Sequence, residues 1–218
     1  MSLNVRMFVS PGFGENGYVV WREGAQDAVV IDPGSAAPDI VQLLTDESLR
    51  VEAILLTHAH LDHVEGVGAV KQATGAPIYL HPDDRFLYER AAQQGVAFGI
   101  RVDAPPPADA TLAHGDVLDM AGLRLEVRHV PGHSPGHVLF HEAEAHCAFV
   151  GDVVFQGSIG RTDLPGGDFT QLLDSIRAQV LTLPDTTVLY SGHGPETTVG
   201  HERVTNPFLI PHYGGGYA

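Results

Sequence analysis

Short apolar runs, and segments that alternate between apolar and polar residues, indicate where strands form in this chain. Gly, Pro and Asp bound these segments, and these residue types interrupt regular structure. The pattern predicts strands at Val5–Val9, Tyr18–Trp21, Ala28–Ile31, Val51–Leu56, Ile78–Leu80, Leu123–His129, His137–His141, Ala148–Val150 and Thr187–Tyr190. The pattern does not fix the order of these strands within a sheet.

Apolar residues at helical spacing lie between some of the strands. The sets are Ile40, Leu43 and Leu44; Val64, Val67 and Val70; and Phe169, Leu172, Leu173, Ile176 and Val180. Asp168 precedes the last set and is of a residue type that caps helix N-termini. Single helices inserted among many strands predict an α/β (α+β) fold, with sheets covered by helices on their outer faces.

The segment Gly12–Gly17 matches the GxGxxG pattern of dinucleotide-binding proteins. That motif requires a following helix whose N-terminus meets the pyrophosphate. Here Tyr18–Trp21 follows, and this segment is predicted to be a strand. We therefore interpret the glycines as a hairpin turn.

The chain has 218 residues, of which 44% are hydrophobic. This length predicts a single domain over residues 1–218. No apolar run is long enough to span a bilayer, and residues 1–12 do not resemble a secretory signal, so we expect a cytoplasmic protein with no membrane partner. Cys147 is the only cysteine, so any metal must be held by histidine and carboxylate.

Charge and histidine content narrow the possible partners. Twelve basic and 27 acidic residues give a net charge of −15, which argues against nucleic acid because phosphate binding needs clustered Lys and Arg. The chain also has 13 histidines, and neutral imidazole is a common metal ligand.

The densest chemical signal is the HxHxDH motif, which follows the predicted strand Val51–Leu56. It places four possible metal ligands within six positions: His58, His60, Asp62 and His63. On an extended chain, His58 and His60 can point the same way. Asp62 and His63 then face a neighbouring point, so the motif can serve two metal ions.

Three further ligand candidates follow other predicted strands in turn-rich segments. They are His133, Asp152 and His193. Glycines flank all three, and glycine allows the backbone to approach an ion closely. The other histidines match no ligand position: His81, His114, His129, His141, His146, His201 and His212.

An HxHxDH motif followed by His, Asp and His at strand ends resembles the metallo-β-lactamase superfamily, and the resemblance covers nearly the whole chain. It implies an αββα sandwich of two mixed sheets with helices on the outer faces and a metal pair at one edge. It also implies two metal ligand sets with Asp152 bridging: His58, His60 and His133 for metal one, and Asp62, His63 and His193 for metal two. Asp32 matches the aspartate that orients ligands from an adjacent strand end, and we expect His137 to orient ligands too.

The resemblance implies hydrolysis, because two nearby divalent ions lower the pKa of a bridging water and neutralise a developing oxyanion. Asp62 is both a ligand and the candidate catalytic proton acceptor. The segments Val130–His137 and Gly157–Asp163 resemble glyoxalase II relatives, the hydroxyacylglutathione hydrolases. The expected substrate is a small S-acyl thioester, whose thiolate (thiol pKa about 8.5) leaves without a strong general acid. The expected cofactors are two divalent ions, zinc first, with iron or manganese as alternatives.

The residues that bind substrate are less clearly indicated. Arg161 corresponds to a basic position that faces glutathione in full-length glyoxalase II, but it could instead pair with Asp163 or Asp168. Tyr190 is a candidate for lining the pocket, although aromatic residues at such positions more often belong to a core. Only residues 194–218 follow His193, so we expect no added helical glutathione-binding domain. This leaves the thiol carrier open.

Other functions compete with thioester hydrolysis. A persulfide dioxygenase would use one iron held by His58, His133 and Asp152, whereas the second ligand set favours the dinuclear hydrolase. A lactonase or other ester hydrolase is a further alternative. A purely structural metal site is disfavoured because such a site is closed by four ligands, and a nuclease is disfavoured by the net charge of −15. The sequence does not predict the oligomeric state.

Overall fold

The computed structural model describes residues 2–210 and contains two large sheets. The first sheet has the strand order β1-β2-β3-β4-β5-β6. Its strands are β1 (Leu3–Val9), β2 (Asn16–Arg22), β3 (Asp27–Ile31), β4 (Arg50–Leu55), β5 (Ile78–Leu80) and β6 (Ala110–Thr111). The pairs from β1 to β3 are antiparallel and those from β3 to β6 are parallel, so the sheet is mixed.

The second sheet has the order β14-β13-β10-β9-β8-β7, and β11 and β12 form a separate ribbon. These strands are β7 (Val117–Met120), β8 (Leu123–His129), β9 (Val138–Glu142), β10 (Cys147–Gly151), β11 (Val154–Phe155), β12 (Ser158–Ile159), β13 (Val188–Ser191) and β14 (Thr197–Thr198). Strands β10 and β13 are parallel, while their other neighbours are antiparallel. This sheet is therefore mixed as well.

Short helices connect the strands. They are α1 (Ala37–Asp46), α2 (Leu61–Val64), α3 (Val67–Thr74), α4 (Arg85–Tyr88), α5 (Ala91–Ala97), α6 (Phe169–Ser175) and α7 (Val199–Thr205), with a 3₁₀ turn at Pro82–Asp84 and a π-helical turn at Ile176–Val180. Asp168 caps α6 as predicted, since its side chain accepts a hydrogen bond from the Gln171 N–H. Within residues 2–210, no helix is both long and apolar enough to cross a bilayer.

Alternation along the strands explains the layers. On β2, Val20 faces a core between the sheets that also contains Phe140 and Phe149 of the second sheet. Its neighbour Val19 points to the opposite face, where α1 and α3 cover the first sheet. Helix α6 covers the outer face of the second sheet through Leu172. This arrangement confirms the predicted αββα sandwich of two mixed sheets with helices outside.

The sequence located the long strands but missed several shorter elements, which have two to seven residues and show no clear apolar periodicity. Strands β6, β7, β11, β12 and β14 and helices α4, α5 and α7 were not predicted. The apolar set from Val64 to Val70 belongs to two helices, α2 and α3. They are separated at Gly66, where a Cβ atom would clash with the backbone at Gly34.

The fold gathers the candidate residues because parallel neighbours end at the same edge. Strands β3 and β4 run parallel, so Asp32 and the HxHxDH segment follow them side by side. Strands β10 and β13 are also parallel, so Asp152 and His193, which follow them, lie at the same edge of the second sheet. The Gly12–Gly17 segment joins β1 to β2, which confirms the turn and excludes the helix that a dinucleotide site needs.

Candidate metal centre

The first group of converging side chains comprises His58, His60 and His133, all buried. The Nε2 atom of His133 lies 2.8 Å from Nδ1 of His60 and 3.2 Å from Nε2 of His58. Nitrogen atoms from two separate loops thus meet at one point. In neutral histidine these atoms can offer lone pairs to a single ion.

The second group comprises Asp62, His63 and His193. The Nε2 atom of His193 lies 3.2 Å from Oδ2 of Asp62, and the Nε2 atom of His63 lies 3.9 Å from the same oxygen. Asp62 has a partly exposed side chain, with 18% of its surface accessible, whereas His63 is fully buried. The group therefore has one side open to a cleft.

Asp152 lies between the two groups. Its Oδ2 is 3.5 Å from Nε2 of His133 in the first group and 3.6 Å from Nε2 of His193 in the second. Its Oδ1 is 3.4 Å from Nε2 of His63. A single carboxylate thus reaches both groups, which is the position a bridging ligand needs.

Hydrogen bonds at the far side of three rings set their orientation. Nδ1 of His133 donates to the Arg161 carbonyl at 2.7 Å, and Nδ1 of His193 donates to the Gly14 carbonyl at 3.2 Å. Nδ1 of His63 donates to Oδ2 of Asp32 at 3.0 Å. With Nδ1 engaged in each ring, Nε2 is the nitrogen atom that faces the site, as in metal-binding histidines.

Asp32 occupies the position that the sequence predicts for a ligand-orienting aspartate. Besides His63, its carboxylate accepts hydrogen bonds from the N–H and hydroxyl of Thr57 at 2.8 and 2.6 Å. Asp32 has a φ of +45°, a conformation uncommon for residues other than glycine. The carboxylate joins the start of the HxHxDH loop to a ring of the second group.

His137 lies against both groups. Its ring stacks on His58, with centroids 4.7 Å apart and an angle of 20°. Its Nε2 atom accepts a hydrogen bond from the Asp152 N–H at 3.1 Å. His137 thus contacts both His58 and Asp152, and its orienting role stays a prediction.

Burial and nearby charges shift the pKa values of the site histidines in opposite directions. Burial, together with His133, lowers the pKa of His60 to about 3, and burial holds the pKa of His58 well below its usual value. Burial would also lower the pKa of His63, but the carboxylates of Asp152 and Asp62 outweigh it and hold that pKa well above its usual value. His58 and His60 are therefore neutral, while the second group concentrates negative charge beside His63.

This donor set fits divalent metal ions. The Nε2 atom of His63 and the Oδ1 atom of Asp152 are buried and have no hydrogen-bond partner, and buried polar atoms normally have one. Five imidazoles and two carboxylates offer nitrogen and oxygen ligands, which zinc, iron and manganese accept. The two groups and Asp152 would hold the ions.

A cleft of about 210 Å³ opens above the centre. Its walls are Phe13, Leu61, Gln94, Phe98, Arg161 and Leu164, and its floor is formed by His60, Asp62, His133, Asp152 and His193. The rings of Phe13 and Phe98 meet edge to face with centroids 5.5 Å apart. Phe13 lies in the turn that the GxGxxG pattern marked, so this turn forms part of the cleft.

The two candidate substrate residues have different outcomes. Arg161 lines the cleft, but Nε and Nη2 donate to the two carboxylate oxygens of Asp163 at 2.7 and 2.8 Å. Tyr190 was a candidate for lining the pocket, but in the structure it does not line the cleft. Its ring stacks on Phe149 at 5.1 Å within the core between the sheets, because its side of β13 faces that core.

Several residues that hold the ligand loops carry no motif in the sequence. Asp84 accepts hydrogen bonds from two of these loops, and Asn16 donates to the Ser191 and Gly194 carbonyls on either side of His193. Gln94 binds the backbone of Ala59 and Leu61. Only Asp84 gave a weak sequence signal, as an acidic residue in the turn that follows β5.

Among the remaining histidines, His81 and His129 form another group with Asp83. Their rings stack in parallel, with centroids 4.2 Å apart and an angle of 10°. An ion lies in the plane of each imidazole that binds it, so two stacked rings cannot share one ion without rotating. His212 lies outside the described residues.

Comparisons with known proteins agree with this geometry. A family model described as the metallo-beta-lactamase superfamily matches residues 10–193. The hydroxyacylglutathione hydrolase GloC of Haemophilus influenzae is 40% identical over 209 residues, covering 95% of this chain and 98% of the relative.

Two solved structures are also similar. The crystal structure of BLEG-1, a B3 metallo-beta-lactamase, has a TM-score of 0.89 and 41% identity, covering 95% of this chain and 100% of the other. The crystal structure of TTHA1623 in a di-iron-bound form has a TM-score of 0.86 and 43% identity, covering 94% of this chain and 100% of the other.

Proposed function

This chain belongs to the metallo-β-lactamase superfamily, and we propose that it hydrolyses thioesters at a dinuclear metal site. It is a metallo-hydrolase, and the finer proposal concerns its substrate, an S-(2-hydroxyacyl)glutathione or a related thioester. The 40% identity to a hydroxyacylglutathione hydrolase supports this substrate class. Zinc is the first candidate metal, while the di-iron form of a 43% identical protein supports iron as an alternative.

One observation carries the proposal: the carboxylate of Asp152 lies within 3.6 Å of nitrogen atoms from both histidine groups. A site for a single structural ion needs only four ligands. Here seven donors converge, and Asp62 and His193 face an open cleft. This arrangement leaves room for a substrate beside the ligands.

The bound metal ions would activate a water molecule and polarise the substrate carbonyl. Asp62 reaches His193 through Oδ2, which leaves its other oxygen to accept the proton of the attacking water. Phe13, Phe98 and Leu164 provide apolar walls against which the acyl group would pack. The walls contain no free carboxylic acid, and a thiolate leaving group (thiol pKa about 8.5) needs none.

The test is hydrolysis of S-lactoylglutathione by metal-loaded protein, with Asp62→Ala measured in parallel. We expect turnover in the natural protein and a loss of at least about 100-fold in the variant, because general-base catalysis alone contributes that much. Asp119→Ala, which removes an exposed carboxylate, serves as the control and should keep full activity. Folded, metal-loaded protein without turnover would reject the glutathione thioester, and persulfide-dependent oxygen uptake would be the next assay.

A second candidate is hydrolysis of a β-lactam, favoured by the 41% identity to a B3 metallo-beta-lactamase over 95% of this chain. The same ligands would serve, since both reactions proceed through attack on a carbonyl carbon. Comparing kcat/KM for a penicillin and for S-lactoylglutathione in one preparation separates the two. We expect the thioester to have the higher value.

A further inference from the structure

Asp84 is a completely buried carboxylate outside the metal-binding motifs. It lies at the end of the 3₁₀ turn after β5. Its Oδ2 accepts hydrogen bonds from the Ala59 N–H at 2.9 Å and from the Ser134 hydroxyl at 2.7 Å. Its Oδ1 accepts one from the Gly136 N–H at 2.6 Å.

These partners belong to the two loops that carry the first ligand group. Ala59 separates His58 from His60, and Ser134 directly follows His133. One carboxylate therefore ties together the loops whose nitrogen atoms meet 2.8 and 3.2 Å apart.

The second ligand group is held by other residues. Asp32 binds the His63 ring, and Asn16 binds the carbonyls beside His193. No hydrogen bond described for Asp84 reaches the His193 loop. Asp84 therefore supports the first group and Asn16 the second, while Asp32 links the two through Thr57 and His63.

The site around Asp84 requires a carboxylate. Ala59 and Gly136 can only donate through their N–H groups, so the residue at 84 must accept on both oxygens. An asparagine would direct its NH₂ at one of these N–H groups in either orientation. The packing is also tight, since a Cβ atom on Gly136 would lie 2.9 Å from the Asp84 carboxyl carbon.

We propose that Asp84 is a positioning residue that sets the metal affinity of the His58, His60 and His133 group, and not that of the Asp62, His63 and His193 group. The proposal rests on the metal-dependent function proposed above. None of the hydrogen bonds described for Asp84 goes to a ligand side chain. It acts by holding two loops in the arrangement that brings three nitrogen atoms together before an ion binds.

The test measures zinc dissociation constants by competition with a chromophoric chelator. In a His193→Ala background, which weakens the second group, we expect Asp84→Asn to raise the dissociation constant by about 10- to 100-fold, as for other residues that orient ligands. In a His133→Ala background, which weakens the first group, the same change should stay within about twofold, as for independent sites. Asp83→Asn is the matched control, because Asp83 is an exposed neighbouring acid whose described ion pair is with His81 and not with a ligand loop.

Ser134→Ala provides a milder variant should Asp84→Asn fail to fold. It removes one of the three hydrogen bonds, so the dissociation constant of the first group should rise by about two- to tenfold. Equal losses at both groups, or no loss at either, would overturn the proposal while leaving the hydrolase function intact. Failure of the natural protein to bind zinc, iron or manganese would overturn both.

Discussion

The Nε2 atom of His137 accepts a hydrogen bond from the backbone N–H of Asp152 at 3.1 Å. Asp152 is the carboxylate between the two histidine groups, and the His137 ring stacks on His58. One imidazole therefore contacts a residue of the first group and the residue that links the groups. The Nε2 atom of His137 binds the protein backbone, whereas the Nε2 atoms of other histidines face the site.

Replacing His137 with Phe tests this contact. A phenyl ring keeps the stacking surface but leaves the Asp152 N–H buried without an acceptor, which should lower the free energy of unfolding by about 1–3 kcal/mol. Urea unfolding measures the change, and zinc affinity should fall with it. His141→Phe is the control, because the partner of His141 is the half-exposed Glu126. Unchanged zinc affinity in His137→Phe would contradict the orienting role.

Removing the metal ions should destabilise the protein. Bound ions would satisfy the buried His63 and Asp152 atoms that otherwise lack a partner, and a ligand at 1,000 times its Kd stabilises by about 4 kcal/mol. For a chain of this size that corresponds to a rise of roughly 8–16 °C in Tm. Thermal unfolding with and without a chelator measures it. The same Tm in both conditions would contradict the metal centre.

Arg161 should contribute little to substrate affinity, because its guanidinium is already engaged by Asp163. We expect Arg161→Ala to change the KM for S-lactoylglutathione by less than about fivefold, the range of exposed ion pairs. If the Arg161–Asp163 pair braces the loop, Asp163→Ala should change KM by a similar factor. If KM rose well above tenfold in Arg161→Ala alone, Arg161 would instead bind the thiol carrier of the substrate.

Cys147 should resist thiol reagents in the folded protein. Burial, with a contribution from the Glu142 carboxylate, raises the pKa of this thiol from 9.0 to about 12, and only the thiolate reacts. Labelling with an aromatic disulfide at pH 8 should be slow until denaturant is added. Rapid labelling of the folded protein would contradict the burial.

The same thiol gives stability a definite pH dependence. The unfolded chain loses this proton near pH 9 and the folded protein near pH 12, so the folded state binds more protons between these values. The free energy of unfolding should therefore fall as pH rises, by up to about 1.4 kcal/mol per pH unit. Buried tyrosines titrate there too, so the measurement is the difference from Cys147→Ala, which should show a smaller slope.

The sequence alone predicted the long strands, the layered fold and the residues that converge at the candidate metal centre. Strand and helix periods are local, so a few consecutive residues reveal them. The candidate ligands could be recognised for the same reason, since His58 to His63 lie within one short segment and the others lie within four positions of the end of a predicted strand. The ligand roles and the single domain remain predictions that metal binding and unfolding experiments would test.

Only the tertiary structure decided which side chains support that centre. Asp84 lies 25 positions from Ala59 and 50 from Ser134, and Asn16 lies 175 positions from Ser191. No local pattern encodes such distances, because they result from strand order and register. Tyr190 illustrates the same limit: it precedes His193 by three positions, yet the pleat of β13 directs its ring into the core.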